Sequence, residues 1–141
     1  MNEKKPTLIA LTPEAEAAMG EPELVLKHFP FRIGRESRIA VVDGVMKITE
    51  RRRQGFSAAS NDLYLIDRGR PLNVSRQHLQ IERSDDGVYK VVDRGSACGT
   101  LVGHNHIGGH DRGGESILQH GEVLVVGTSE SPFVFRFMLG V

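Results

Sequence analysis

The segment Phe133-Val134-Phe135-Arg136-Phe137-Met138-Leu139 puts a phenylalanine at every second position, with Val134, Arg136 and Met138 between. Side chains of an extended chain alternate between two faces, so this run specifies a strand with a buried aromatic face and an opposite outer one. Comparable runs extend from Glu23 to Phe29, Leu63 to Asp67, His78 to Glu82, Val88 to Asp93 and Glu122 to Val126. Between them, Asp85-Asp86-Gly87, Gly108-Gly109, Gly113-Gly114 and His120-Gly121 supply residues that tolerate positive φ. Gly108-Gly109 reads as the turn of an ordinary hairpin. Short strands separated by tight turns predict an all-β chain folded as a β-sandwich. The one helical pattern runs from Thr12 to Gly20, with Thr12 as N-cap, Pro13 at the first helical position and Gly20 as the stop.

The chain has 141 residues, enough for one domain with a sizeable core and too few for two ordinary ones. We read 1–141 as a single domain with a core over about 22–139. One stretch breaks the rhythm of short strands and turns: Glu36 to Ser60, with Asp43-Gly44, Arg51-Arg52-Arg53, Gly55 and Ser57-Ala58-Ala59-Ser60, reads as a long loop insertion. Within it, Ile39 to Val42 and Val45 to Ile48 are placed to form a small hairpin. The longest apolar runs, such as Val123 to Val126, fall far short of the ~20 residues that span a bilayer, so no membrane partner is expected. The N-terminus lacks an apolar signal segment and Cys98 is the only cysteine, which points to a cytoplasmic protein without an internal disulfide.

The 18 basic and 18 acidic residues cancel, so the broad positive field of a nonspecific nucleic-acid binder is missing and any anion recognition is local. Two segments provide for it. Phe31-Arg32-Ile33-Gly34-Arg35 ends an extended run in a Gly-Arg pair, so that Arg35 leaves the sheet at its rim. Asn73-Val74-Ser75-Arg76-Gln77-His78 then sets a neutral and a charged donor, Ser75 and Arg76, side by side before a strand. His78 reads as a structural histidine hydrogen-bonded to a loop. A third segment, Asp93-Arg94-Gly95-Ser96-Ala97-Cys98-Gly99-Thr100, is a polar glycine-containing turn leading into another strand.

Taken in order, and followed by Leu118 to Gly127, these segments resemble the forkhead-associated (FHA) domain over Leu24 to Phe137. The resemblance implies an eleven-stranded sandwich of two antiparallel sheets that recognises phosphothreonine peptides through loops at one end. It implies a non-catalytic signalling module without cofactor or metal, whose partner is a phosphothreonine-containing protein, a substrate of a Ser/Thr kinase. By motif match, Arg35 and Ser75 contact the phosphate and Arg76 the phosphate or the peptide backbone, while Gly34, His78 and Gly99 shape the loops. The chain departs from the family in two respects. Ala97 and Cys98 stand where the family has Thr or Ser and then the Asn that grips the peptide backbone, and 39 residues lie between Arg35 and Ser75, more than is usual. The alternative is an FHA-like domain that binds an unphosphorylated partner or itself.

Other readings rest on less. A hydrolase would enlist Ser75, His78 and Asp93, but no Gly-x-Ser-x-Gly elbow is present. Cys98, His104, His106 and His110 match no zinc module in their spacing. Nucleic-acid binding through Arg51-Arg52-Arg53 with Arg68 and Arg70 has few stacking aromatics to draw on, 6% of the chain and no Trp, and a net charge of zero.

Overall fold

A computed structural model describes residues 5–35, 61–67, 69 and 72–140, together with the backbone of 39–42 and 45–48. Eleven strands form two facing sheets. The six-stranded sheet comprises β1 (Pro6–Ala10), β2 (Glu23–Val25), β9 (Thr100–Val102), β10 (Asn105–Ile107), β12 (Val123–Val126) and β13 (Val134–Leu139), in the order β10-β9-β12-β13-β1-β2. The five-stranded sheet comprises β3 (Phe31–Arg35), β6 (Leu63–Leu65), β7 (Leu79–Arg83), β8 (Tyr89–Asp93) and β11 (Gly114–Ile117), in the order β11-β8-β7-β3-β6. The expected hairpin within the insertion is present as a separate pair, β4 (Ile39–Val42) with β5 (Val45–Ile48). The remainder of the insertion, including Arg51-Arg52-Arg53, and also Arg68 and Arg70, lie outside the described residues.

The alternating pattern builds the core as expected. Phe135 and Phe137 of β13 and Leu124 of β12 face Ile33, Leu65, Leu79, Ile81 and Val91 of the other sheet, all fully buried. The ring of Tyr89 on β8 lies 5.2 Å from that of Phe137, joining the layers through a tilted aromatic pair. Each such side chain contributes roughly 1.5–3 kcal/mol by leaving water.

Three features depart from the sequence reading. β1 was not anticipated: it lies between β13 and β2 with Leu8 fully buried, so the six-stranded sheet begins well before residue 22. The pair β3 and β6 is parallel, Ile33 beside Leu63 and Arg35 beside Leu65, whereas every other pair among the described strands is antiparallel. A parallel neighbour needs a long crossover, because the chain must return to the starting end of the sheet; the stretch from 36 to 62 is that crossover. Gly108-Gly109 is not a hairpin turn. β10 and β11 belong to different sheets, and Gly108, Gly109, His110, Asp111, Gly113 and Gly114 all have positive φ, which lets the chain cross from one layer to the other.

Helix α1 (Pro13–Met19) follows its predicted caps. Thr12 Oγ1 accepts from Ala15 N at 3.2 Å and Gly20 closes the helix with φ 79°. Among the described residues, no helix is long and apolar enough to cross a membrane.

Candidate functional site

Three connections meet beyond the ends of β3, β6 and β8. The first is Arg35 at the end of β3. Its backbone N–H donates to Ser75 O at 2.9 Å, and its Nε donates to Val74 O at 2.9 Å. The guanidinium is thereby pinned through Nε, and its two terminal nitrogens make no hydrogen bond among the described residues. The second is the segment after β6. The Asp67 carboxylate accepts from Gly69 N at 2.9 Å, Asn73 N at 2.5 Å and Val74 N at 2.8 Å, folding the chain back so that Val74 and Ser75 stand beside Arg35.

The third connection is the 93–100 turn, built around Asp93. This carboxylate is only 3% exposed and accepts from Gly95 N at 3.0 Å, Ser96 N at 2.8 Å, Ser96 Oγ at 2.6 Å and Thr100 Oγ1 at 2.8 Å. Ser96 Oγ in turn accepts from Gly99 N at 2.9 Å. The turn then joins the second segment: Ala97 N donates to Ser75 Oγ at 3.0 Å, and the Cys98 thiol donates to Leu72 O at 3.4 Å. With one lone pair of Ser75 Oγ engaged by Ala97 N, its hydroxyl proton is available to an outside acceptor.

His78 lies beneath all three connections, fully buried. Its Nδ1 accepts from Ser75 N at 2.9 Å and its Nε2 pairs with Gly99 O at 2.7 Å, which sets the neutral tautomer with the proton on Nε2. Both nitrogens are engaged with backbone, so no lone pair remains to activate the Ser75 hydroxyl as a hydrolase would require. Burial lowers the His78 pKa below its ordinary 6.5, outweighing the bond to Gly99 and the charges of Asp93 and Asp67, which raise it. The unfolded chain therefore binds a proton more readily than the folded one, and this contribution to stability is complete above pH 6.5 and is lost as pH falls through the window below it. Urea unfolding between pH 7.5 and 5 is expected to show stability falling with pH, by at most about 1.4 kcal/mol per pH unit for one proton. His78→Asn is expected to flatten that slope; an unchanged slope would exclude His78 as its source.

The five residues expected at the site converge on one end of the sandwich. Arg35 touches Val74 and Ser75, Ala97 touches Ser75, and Cys98 touches Leu72 of the same segment. Arg76 is exposed, and it is held through its backbone, since its carbonyl accepts from Asn61 Nδ2 at 2.8 Å.

The FHA domain family matches residues 31–127. The chain belongs to this family. Members are generally non-catalytic protein-interaction modules, most often binding phosphothreonine. The fold is similar to the FHA domain of the CT664 protein from Chlamydia trachomatis, 20% identical, with TM-score 0.54 and 97% of each chain covered. It is also similar to full-length yeast Pml1p, 18% identical, with TM-score 0.61 over 96% of this chain and 82% of that one. A third similar structure is an engineered FHA with a Myc-pTBD peptide, 16% identical, with TM-score 0.55 over 99% of this chain and 93% of that one. No curated protein sequence matches the chain.

Two site-shaping residues escaped the sequence reading of this FHA domain. Asn61 is buried and reaches 15 residues along the chain to hold Arg76 O, and Asp67 organises the 69–74 segment. Asp67 carried one usable signal, an acidic residue preceding a glycine-containing loop. Asn61 carried none, because its role depends on a single contact across the fold. Among the described residues, no group of three or more His, Cys, Asp or Glu is placed to hold a metal ion; His104 sits in the turn before β10 and His106 within it.

Proposed function

We propose that this FHA domain binds a phosphothreonine-containing protein, a Ser/Thr kinase substrate, with Arg35, Ser75 and Arg76 holding the phosphate. The observation that carries this reading is the state of the donors. Arg35 is pinned by Nε with its terminal fork unused among the described residues, Ser75 keeps a hydroxyl proton to give, and Arg76 is exposed beside them. A phosphate carries about −1.5 to −2 charges at neutral pH, and each hydrogen bond to a charged group contributes roughly 1.5–3 kcal/mol. The engineered FHA with a Myc-pTBD peptide supports peptide binding by this fold. At the position where the family has Asn, Cys98 offers a weak donor that is already directed at Leu72 O. Affinity in this chain accordingly rests on the phosphate more than on a grip of the peptide backbone.

The test is a titration with a phosphothreonine peptide and its unphosphorylated twin. Phosphorylated peptide is expected to bind more tightly, and Arg35→Ala to weaken it roughly 10- to 100-fold, the equivalent of one charged hydrogen bond. Equal affinity for both peptides, or indifference to Arg35→Ala, would replace this reading with recognition of an unphosphorylated partner.

A further inference from the structure

A second group of guanidinium ions lies away from the 74–76 segment. On the outer face of the five-stranded sheet, Arg32 of β3 pairs with Gln80 of β7, and Gln80 pairs with Val92 of β8. Arg94, two residues beyond Val92, is tied beside β7 by the bond from its N–H to His78 O at 2.8 Å. Arg32 and Arg94 thus flank β7 from opposite sides, their strands about 10 Å apart, a gap that two arginine side chains close over Gln80.

Among the described residues, neither guanidinium has a carboxylate partner. Arg94 Nη1 is buried without a hydrogen-bond partner. Asp62 accepts from the backbone N–H of Arg32 at 2.9 Å and pairs with His28, and Glu82 bonds Gln80 and faces Lys90. Burial, and then the charge of Arg32, lower the pKa of Arg94, as expected for a cation beside another cation with no acid between them. Buried guanidinium N–H groups in folded proteins are nearly always paired, and a like-charge pair without a counter-charge repels itself. A bound oxyanion satisfies both conditions, since the planar fork of arginine matches the spacing of carboxylate and phosphate oxygens.

We propose that Arg32 and Arg94 form a second oxyanion site, on the outer face of the five-stranded sheet and separate from the 74–76 segment, that binds a phosphate or carboxylate group. It does not depend on the phosphothreonine reading, and its test is arranged so that either can fail alone. The full chain is titrated with inorganic phosphate while the side-chain Nε–H resonances of Arg32, Arg94 and Arg136 are followed by nitrogen-15 NMR. Arg136 is exposed on β13 of the other sheet and reports nonspecific binding. The resonances of Arg32 and Arg94 are expected to shift together and to saturate at a phosphate concentration at least tenfold below any that moves Arg136. That response is expected to persist in Arg35→Ala. It is expected to vanish from Arg32 in Arg94→Gln and from Arg94 in Arg32→Gln. Shifts that never saturate, that track Arg136, or that disappear in Arg35→Ala overturn the proposal. Peptides then identify the source of the oxyanion. If a phosphothreonine peptide carrying a second phosphate or a glutamate loses at least about fivefold in affinity on Arg94→Gln while the singly phosphorylated peptide does not, the group is carried by the peptide. If neither peptide responds while the phosphate titration does, the ligand is a free anion; both outcomes uphold the site.

Discussion

Asp93→Ala is expected to destabilise the domain by about 3–5 kcal/mol, the range for removing one partner from a buried, hydrogen-bonded charge. The carboxylate satisfies two backbone N–H groups, those of Gly95 and Ser96, and two hydroxyls, those of Ser96 and Thr100, with Ser96 and Thr100 wholly buried. Alanine leaves four donors facing a void, each carrying a desolvation cost of roughly 1–3 kcal/mol, which water entry offsets in part. The loss propagates, because Ser96 Oγ is the acceptor for Gly99 N, and Gly99 O is the acceptor that fixes His78. For a domain of this size the midpoint of thermal unfolding is expected to drop by roughly 10–20 °C. Asp93→Asn, which keeps one acceptor oxygen, is expected to fall between wild type and alanine. Urea or thermal unfolding measures both; a loss below about 1 kcal/mol for alanine would mean that the turn finds other acceptors and that Asp93 is not its organiser.

Such a hub is only half visible in a sequence. Asp93-Arg94-Gly95-Ser96 marks a structured turn, because aspartate and serine bond to nearby backbone and glycine supplies positive φ. The number of donors that Asp93 gathers is a property of the closed fold. The same division applies elsewhere. Strands β7, β8 and β13 were legible because a buried face imposes period two. β1 was not, since Pro6 to Ala10 shows no clean alternation and its place is decided by pairing with β13, more than a hundred residues away. Arg35, Ser75 and Arg76 were legible as donors, each adjacent to a turn, whereas Asn61 was silent. Gly108-Gly109 suggests a hairpin in the sequence, yet positive φ equally permits a crossing between two sheets, which is what the 108–114 glycines make.

Gly34→Ala is expected to reduce binding of a phosphothreonine peptide by more than about 100-fold, because it disturbs several phosphate donors together where Arg35→Ala removes one. A Cβ at this position would lie 2.0 Å from Arg76 O, 2.6 Å from Asn61 Nδ2 and 2.8 Å from the Arg76 carbonyl carbon. The φ of Gly34 is not in the left-handed region, so alanine adopts the backbone without strain and the conflict is one of space alone. The obstacle is backbone, which cannot swing aside as a side chain would. The Arg76 carbonyl must retreat by about 1 Å or more, breaking its bond from Asn61 and carrying Ser75 and Arg76 away from the Arg35 fork. The accompanying loss of stability is about 1–3 kcal/mol, the usual cost of overpacking. Gly87→Ala separates the two effects. Gly87 has φ 83° in the β7–β8 turn and nothing within 4 Å of an added Cβ, so alanine there is strained by roughly 1–2 kcal/mol without moving the 74–76 segment. Fluorescence anisotropy is expected to show near wild-type peptide affinity for Gly87→Ala and near-complete loss for Gly34→Ala, at a temperature where unfolding curves show both variants folded. Affinity of Gly34→Ala within about threefold of wild type would mean that the phosphate is held by groups other than Ser75 and Arg76.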